Sequence, residues 1–144
     1  MAAVTAGTTA VYADVMPDHS VPAGIVLSRT GTYLATAALD ANSIIQMVPI
    51  PKGAQVLDII LKTSALGTAR TIDVGDGGDI DRFVDGGDAS GAALFRLSAV
   101  AGLNHEYTAD DTIDIKVLGD TFPAGGTATM IVFYKMEGGI ADET

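Results

Sequence analysis

The sequence predicts an all-β protein: a single-domain, jelly-roll-like β-sandwich of about eight strands with an extended N-terminal arm. Three observations carry this. Apolar residues recur with a period of two far more often than 3.6, as on strands with one buried face. The alternating runs are short, and clusters of Gly, Pro and Asp separate them. No segment has the apolar spacing of a long amphipathic helix; the alanine-rich stretch from Ala35 to Ala41 alone is ambiguous. At 144 residues the chain fits one domain, a size that buries roughly 70% of the surface of its unfolded chain.

The elements follow in order. Residues 1–23 are expected to form an arm: Val4, Val11, Val15 and Val21 are scattered among small residues, and Pro17 and Pro22 interrupt them. Such a segment is either disordered or extended against a neighbouring subunit, with Tyr12 as its anchor. Residues 24–136 form the sandwich. Strands are predicted at Gly24 to Arg29, Thr32 to Leu39 and Ser43 to Val48. The run from Pro49 to Gly53 is read as a turn, because proline has no amide to give a ladder. Gln55 to Thr63 is the clearest strand, with Leu57, Ile59 and Leu61 on one face and Asp58 and Lys62 on the other. Arg70 to Val74, Arg82 to Val84 and Ala93 to Leu97 come next. In Thr112 to Leu118, Ile113, Ile115 and Val117 face inward and Asp114 and Lys116 outward. In Thr127 to Met136, Met130, Val132 and Tyr134 oppose Ile131 and Phe133, so both faces are covered. Residues 137–144 form a short acidic tail expected to fray.

Composition narrows the function classes. Hydrophobic residues are 48% and charged residues 18%, a globular balance. There is no cysteine, so disulfides and thiolate metal sites are ruled out. Asp and Glu number 18 against 8 Lys and Arg, a net charge of −10. That field repels phosphate backbones and anionic membrane surfaces, so neither nucleic acid nor membrane is an expected partner. A basic partner or a soluble existence suits it. Met1 to Ala10 lacks the basic start and apolar run of a secretory signal. No segment approaches the roughly 20 apolar residues of a membrane helix.

The most distinctive stretch runs from Thr71 to Asp88. Asp73, Asp76, Asp79, Asp81, Asp85 and Asp88 place six carboxylates in sixteen residues among glycines. Such density can hold calcium, but the spacing is neither that of an EF-hand nor that of the nonapeptide calcium repeat. The competing reading is a glycine turn between two strands, with aspartates capping amides or facing water. Arg82 is expected to pair with Asp73 or Asp81 and to contribute roughly 1 kcal/mol at most. A glycosidase pair would need a cleft and usually aromatic platforms, and the chain has no Trp and 6% aromatic residues. His19 and His105 lack companion ligands. No Gly-x-Ser-x-Gly elbow is present, and Gly75-x-Gly77 precedes no helix, so it is not a phosphate loop. No catalytic, cofactor-binding or metal-binding residue is assigned, no cofactor is implied, and no enzyme activity is expected.

Two blocks also carry a resemblance. Ile50-Pro-Lys-Gly-Ala-Gln-Val-Leu-Asp-Ile-Ile-Leu is followed by Thr71-Ile-Asp-Val-Gly-Asp-Gly-Gly-Asp-Ile-Asp-Arg-Phe, and Gly126-Thr-Ala-Thr-Met-Ile-Val-Phe-Tyr closes the domain. Together they resemble small virion proteins of tailed bacteriophages, and among these the capsid cement, or decoration, proteins, those of short-tailed phages included. The resemblance spans roughly residues 43 to 136. It implies a jelly roll on the outer capsid surface, made in the host cytoplasm. It further implies that the chain associates with itself as a homodimer or homotrimer and clamps neighbouring major capsid protein subunits. No catalytic residue comes with it. Two alternatives stand beside it: a receptor- or glycan-binding virion module of a head fibre or tail, and a calcium-stabilised structural domain built on the aspartate hairpin.

Overall fold

The computed structural model describes residues 9–11 and 25–136. The expected acidic tail lies outside them, as does the expected arm apart from residues 9–11. Nine strands are described: β1 Thr9–Val11, β2 Leu27–Leu34, β3 Ile44–Ile50, β4 Ala54–Thr63, β5 Thr71–Gly75, β6 Val84–Asp88, β7 Ala93–Arg96, β8 Asp111–Leu118 and β9 Thr127–Met136. They form two sheets, ordered β1-β3-β8-β5-β6 and β2-β9-β4-β7. Every pairing is antiparallel except β1 with β3. Strands β2 to β9 are thus the eight strands of a jelly roll, four in each sheet. The only helical element among the described residues is a 3-10 turn, Val100–Gly102, and the stretch from Ala35 to Ala41 contains no helix.

Alternation builds the core. Ile113, Ile115 and Val117 of β8 meet Ile59 and Leu61 of β4 and Met130, Val132 and Tyr134 of β9 in one buried cluster. In β9 the opposite residues, Ile131 and Phe133, are half-buried. Tyr33 and Phe122 pack edge-to-face at 5.7 Å inside the same cluster.

Four expectations shift. The strands expected at Gly24 to Arg29 and Thr32 to Leu39 are a single strand, β2, running through Gly31. A Cβ at Gly31 would collide with the Met47 carbonyl oxygen. The glycine is there because two backbones meet, at the bulge between Gln46 and Val48, and not because the chain turns. Second, β3 runs on through Pro49 and Ile50, which pair with Thr112 and Asp111. β1 partners β3 only over Ile44 to Gln46, so Pro49 stands where no described strand lies on β3's other side and no ladder bond there needs its amide. Third, a bulge between Val56 and Asp58 replaces Leu57 by Val56 on the inward face of β4. Fourth, the strand expected at Arg82 to Val84 is Val84–Asp88. Its Gly86 and Gly87 remain in the strand, and the Phe95 ring lies where a Gly87 side chain would be.

Gly31→Ala should therefore cost more than about 2 kcal/mol, a drop of roughly 5 °C or more in melting temperature. Gly91→Ala, where nothing lies within 4 Å of the added carbon, should stay within about 0.5 kcal/mol. Thermal denaturation of the two variants checks the contrast.

Candidate functional site

The densest polar cluster gathers at the end of the sandwich where β5 leaves its sheet. After Gly75 the chain folds back in an Asx turn: Asp76 Oδ1 accepts the amides of Gly78 at 3.0 Å and Asp79 at 2.9 Å. Residues 104–107 come from the other side, running along the first half of β4. Asn104 N donates to Val56 O, Val56 N to His105 O, and Tyr107 N to Ala54 O. This alignment brings Tyr107 and His105 to the turn. The Tyr107 hydroxyl donates to Asp76 Oδ2 at 2.8 Å. Arg82 donates through Nε to Oδ2 at 2.7 Å and through Nη2 to Oδ1 at 3.2 Å. Its Nη1 lies 3.3 Å from His105 Nδ1, and the His105 ring meets Tyr107 edge-on at 4.9 Å.

Asp76 is 3% exposed and accepts five hydrogen bonds. Burial by itself would raise its pKa, but the bonds from Arg82 and Tyr107 outweigh that and hold it below the usual carboxylate value. The same contacts raise Arg82, and burial beside the carboxylate keeps the Tyr107 hydroxyl protonated. Burial and the Arg82 charge lower His105. Its Nδ1 is then the acceptor for the guanidinium at neutral pH. A shallow cleft of about 260 Å³ opens beside this knot, with Glu106, Thr108 and Asp111 on its rim.

The expected partners of Arg82 were Asp73 or Asp81; it pairs with Asp76 instead, and the pair is largely buried and not exposed. Asp73 is also mostly buried and accepts the Gly86 amide at 2.8 Å. Asp88 caps Ser90 through its amide and hydroxyl. These aspartates work as acceptors for turn and bulge amides. Among the described residues no three His, Asp or Glu side chains converge as metal ligands. His19 and Tyr12 lie outside the described residues.

Asp114 departs furthest from its expected role. Its position on β8 points outward, yet it is 4% exposed. Its cross-strand neighbour Gly75 is covered by the backbone of Asp79 and Ile80, which occupies the place of a side chain. The loop after β5 thus folds down over the sheet. Thr112 Oγ1 donates to Asp114 Oδ1 at 2.7 Å. Burial pushes the carboxyl up to about 7, the Thr112 bond acts against this, and Asp111 and Asp76 add repulsion.

Both carboxylates give measurable consequences. Asp76, lowered on folding, contributes stability above about pH 4 that is lost as pH falls through its folded value. Arg82→Ala should cost about 3–5 kcal/mol at pH 7, because it leaves a buried charge unpaired. That cost should shrink in acid, and melting curves from pH 7 to about pH 3 would show it. Asp114 has the opposite sign. Its folded pKa is raised, so its contribution is full below about pH 4 and is lost as pH rises through about 7. Asp114→Asn should melt about 3–8 °C above the unmodified protein at about pH 8 and level with it near pH 4.

No protein-family model matches the chain, and no curated protein sequence matches it. Solved structures do. A chain of the capsid of Ralstonia phage GP4 superposes with a TM-score of 0.72 at 23% identity, over 87% of this chain and 92% of that one. A chain of the cyanophage Pam1 capsid gives 0.69 at 20%, over 86% and 93%. A chain of the acidic-stable capsid of Helicobacter pylori bacteriophage KHP30 gives 0.50 at 19%, over 82% and 100%. At these identities the likeness is one of fold: the jelly roll described above is an architecture this chain shares, nearly end to end, with chains of phage capsids.

Proposed function

We propose that this chain is a non-catalytic structural protein of a bacteriophage virion. It binds the outer surface of the capsid as a cement protein, bridging neighbouring major capsid subunits and associating with copies of itself. The observation that carries this reading is the near-complete coverage in both directions. The two best-superposing chains reported above, both from phage capsids, are matched over more than nine-tenths of their own length. The fold they share is thus this chain's whole sandwich and not one part of a larger module.

The polar knot agrees with a structural role. Asp76, Arg82, Tyr107 and His105 spend their hydrogen bonds on one another, which ties a loop of one sheet to a segment aligned with the other. A clip on a shell works by rigid surfaces repeated many times. Even a standard contact of about 1,600 Å² then adds to shell stability at every symmetry-related position.

Cryo-electron microscopy of virions from the phage that encodes this chain tests the reading. Density for the jelly roll should stand on the outer shell at symmetry-related junctions between capsid subunits. Mature particles without the chain, or with it only at the tail, would overturn the proposal.

A further inference from the structure

The two outer faces of the sandwich differ in charge. On the β3-β8-β5-β6 sheet, Asp85 and Asp88 are exposed carboxylates, Asp73 and Asp114 stand buried at outward register positions, and Lys116 is the cation among them. On the β2-β9-β4-β7 sheet the outward positions carry Lys62, Arg96 and Lys135, Asp58 is the one carboxylate on those strands, and Glu106 lies beside β4 at the margin, bonded to Gln55. Asp58 is itself bonded to Arg96. A protein of net charge −10 thus keeps little acid on one sheet face.

That face is also apolar. Ile60 lies opposite Ile131 at its centre, Phe133 is one step along β9 on the same side, and Leu94 stands opposite Lys62 at the β7 edge. Leu94 is 66% exposed, and Leu34, at the far edge, is 49% exposed. Hydroxyl side chains fill the remaining outward positions of β2 and β9: Ser28, Thr30, Thr32, Thr127 and Thr129. An exposed β-sheet face of apolar and threonine side chains, flanked by cations, has the composition of a contact surface and not of a solvated one.

We propose that the outer face of the β2-β9-β4-β7 sheet is the docking face of this protein. Its partner is a protein surface with an apolar centre and carboxylates at its rim. The partner is not the same face of a second copy, since that pairing would gather the Lys62 cations of both copies into one interface under the mutual repulsion of two acidic molecules. The residues of these four strands, each covering about 3.3 by 4.8 Å, present roughly 500 Å². A standard interface takes about 800 Å² per partner, so the contact extends past the sheet, where Ile25 and Val26 add exposed apolar surface ahead of β2. Resting on the shell-binding reading above, the inference assigns this face to the capsid and turns the acidic face outward.

The test adds purified chain to capsids assembled without it and measures co-sedimentation. The double variant Lys62→Glu/Leu94→Glu changes one exposed cross-strand pair, and Thr32→Glu probes the opposite edge of the same face. Each should bind at least tenfold more weakly than the unmodified chain while its melting temperature stays within about 3 °C, a shift of roughly 1 kcal/mol. Asp85→Lys/Asp88→Lys, on the other sheet, should alter binding less than threefold. Binding of the unmodified chain should also weaken from about 50 to 500 mM salt. If the unmodified chain binds and the folded face variants bind equally well, the face is wrongly assigned and the shell reading stands. If the unmodified chain does not bind capsids, the shell reading falls and this assignment falls with it.

Discussion

A carboxylate removed from water must be met by donors at both oxygens, and Asp76 sets this demand at one end of the sandwich. Two backbone amides, a guanidinium and a phenol answer it. Meeting it fixes the path of three segments at once. The chain after β5 must turn back on itself, residue 82 must point inward, and residues 104–107 must run along β4 so that Tyr107 arrives. With those paths fixed, Phe83 is held by Val74 on one side and accepts from Ser98 and Ala99 on the other. It closes the core with no exposed surface. Breaking one donor would leave the charge underpaid in hydrogen bonds, which is why the arrangement is cooperative.

The same turn explains the burial of Asp114. Once the loop after β5 is pulled down by Asp76, its backbone at Asp79 and Ile80 rests on Gly75. Only a residue without a side chain can accept that approach. The neighbouring outward position on β8 then loses its water, and an aspartate there becomes a weak acid. Asp76 follows Gly75, the cross-strand partner of Asp114, yet the two carboxyls shift in opposite directions. One has cationic and phenolic donors; the other has a single hydroxyl and two carboxylates for neighbours. Burial is common to both, and the partners decide the sign.

Much of the fold was legible in the sequence. β4, β8 and β9 stand close to where alternation places them, because each has one face in the core, broken in β4 only by the bulge between Val56 and Asp58. The errors share a cause. Gly31 reads as a gap between strands and Gly87 as part of a turn, but each yields space to a group on another strand, a carbonyl at Gly31 and an aromatic ring at Gly87, while Gly86 takes a positive φ inside its strand. Pro49 reads as a strand end, but it sits where its missing amide costs nothing. Polar residues misled in the same way. Asp114 reads as outward and the hairpin aspartates as capping amides or facing water; the capping is found at Asp76, but the burial of Asp76 and Asp114 depends on a loop folding over a sheet, which no local period encodes. Arg82 was recognised as a pin within the hairpin. Its partner was missed because register at a bulged hairpin cannot be counted from sequence spacing.

The arrangement of charge connects these local facts to the surface. Carboxylates concentrate where the chain turns, since glycine-rich turns need acceptors for their amides and aspartate supplies them. In this topology the hairpin of β5 and β6 lies on one sheet, so most of that acid falls on one side. The other sheet is joined through β2, β4, β7 and β9, whose outward positions hold threonine, isoleucine, phenylalanine and a few cations. Turn chemistry and strand propensity thus polarise the molecule before any partner is considered. A face that keeps β-branched and aromatic side chains while the rest of the surface is acidic is poorly matched to water and well matched to another protein. Neighbouring copies of so acidic a protein would repel one another in solution. Screening over about 8 Å at physiological salt removes most of that cost wherever copies lie further apart than that.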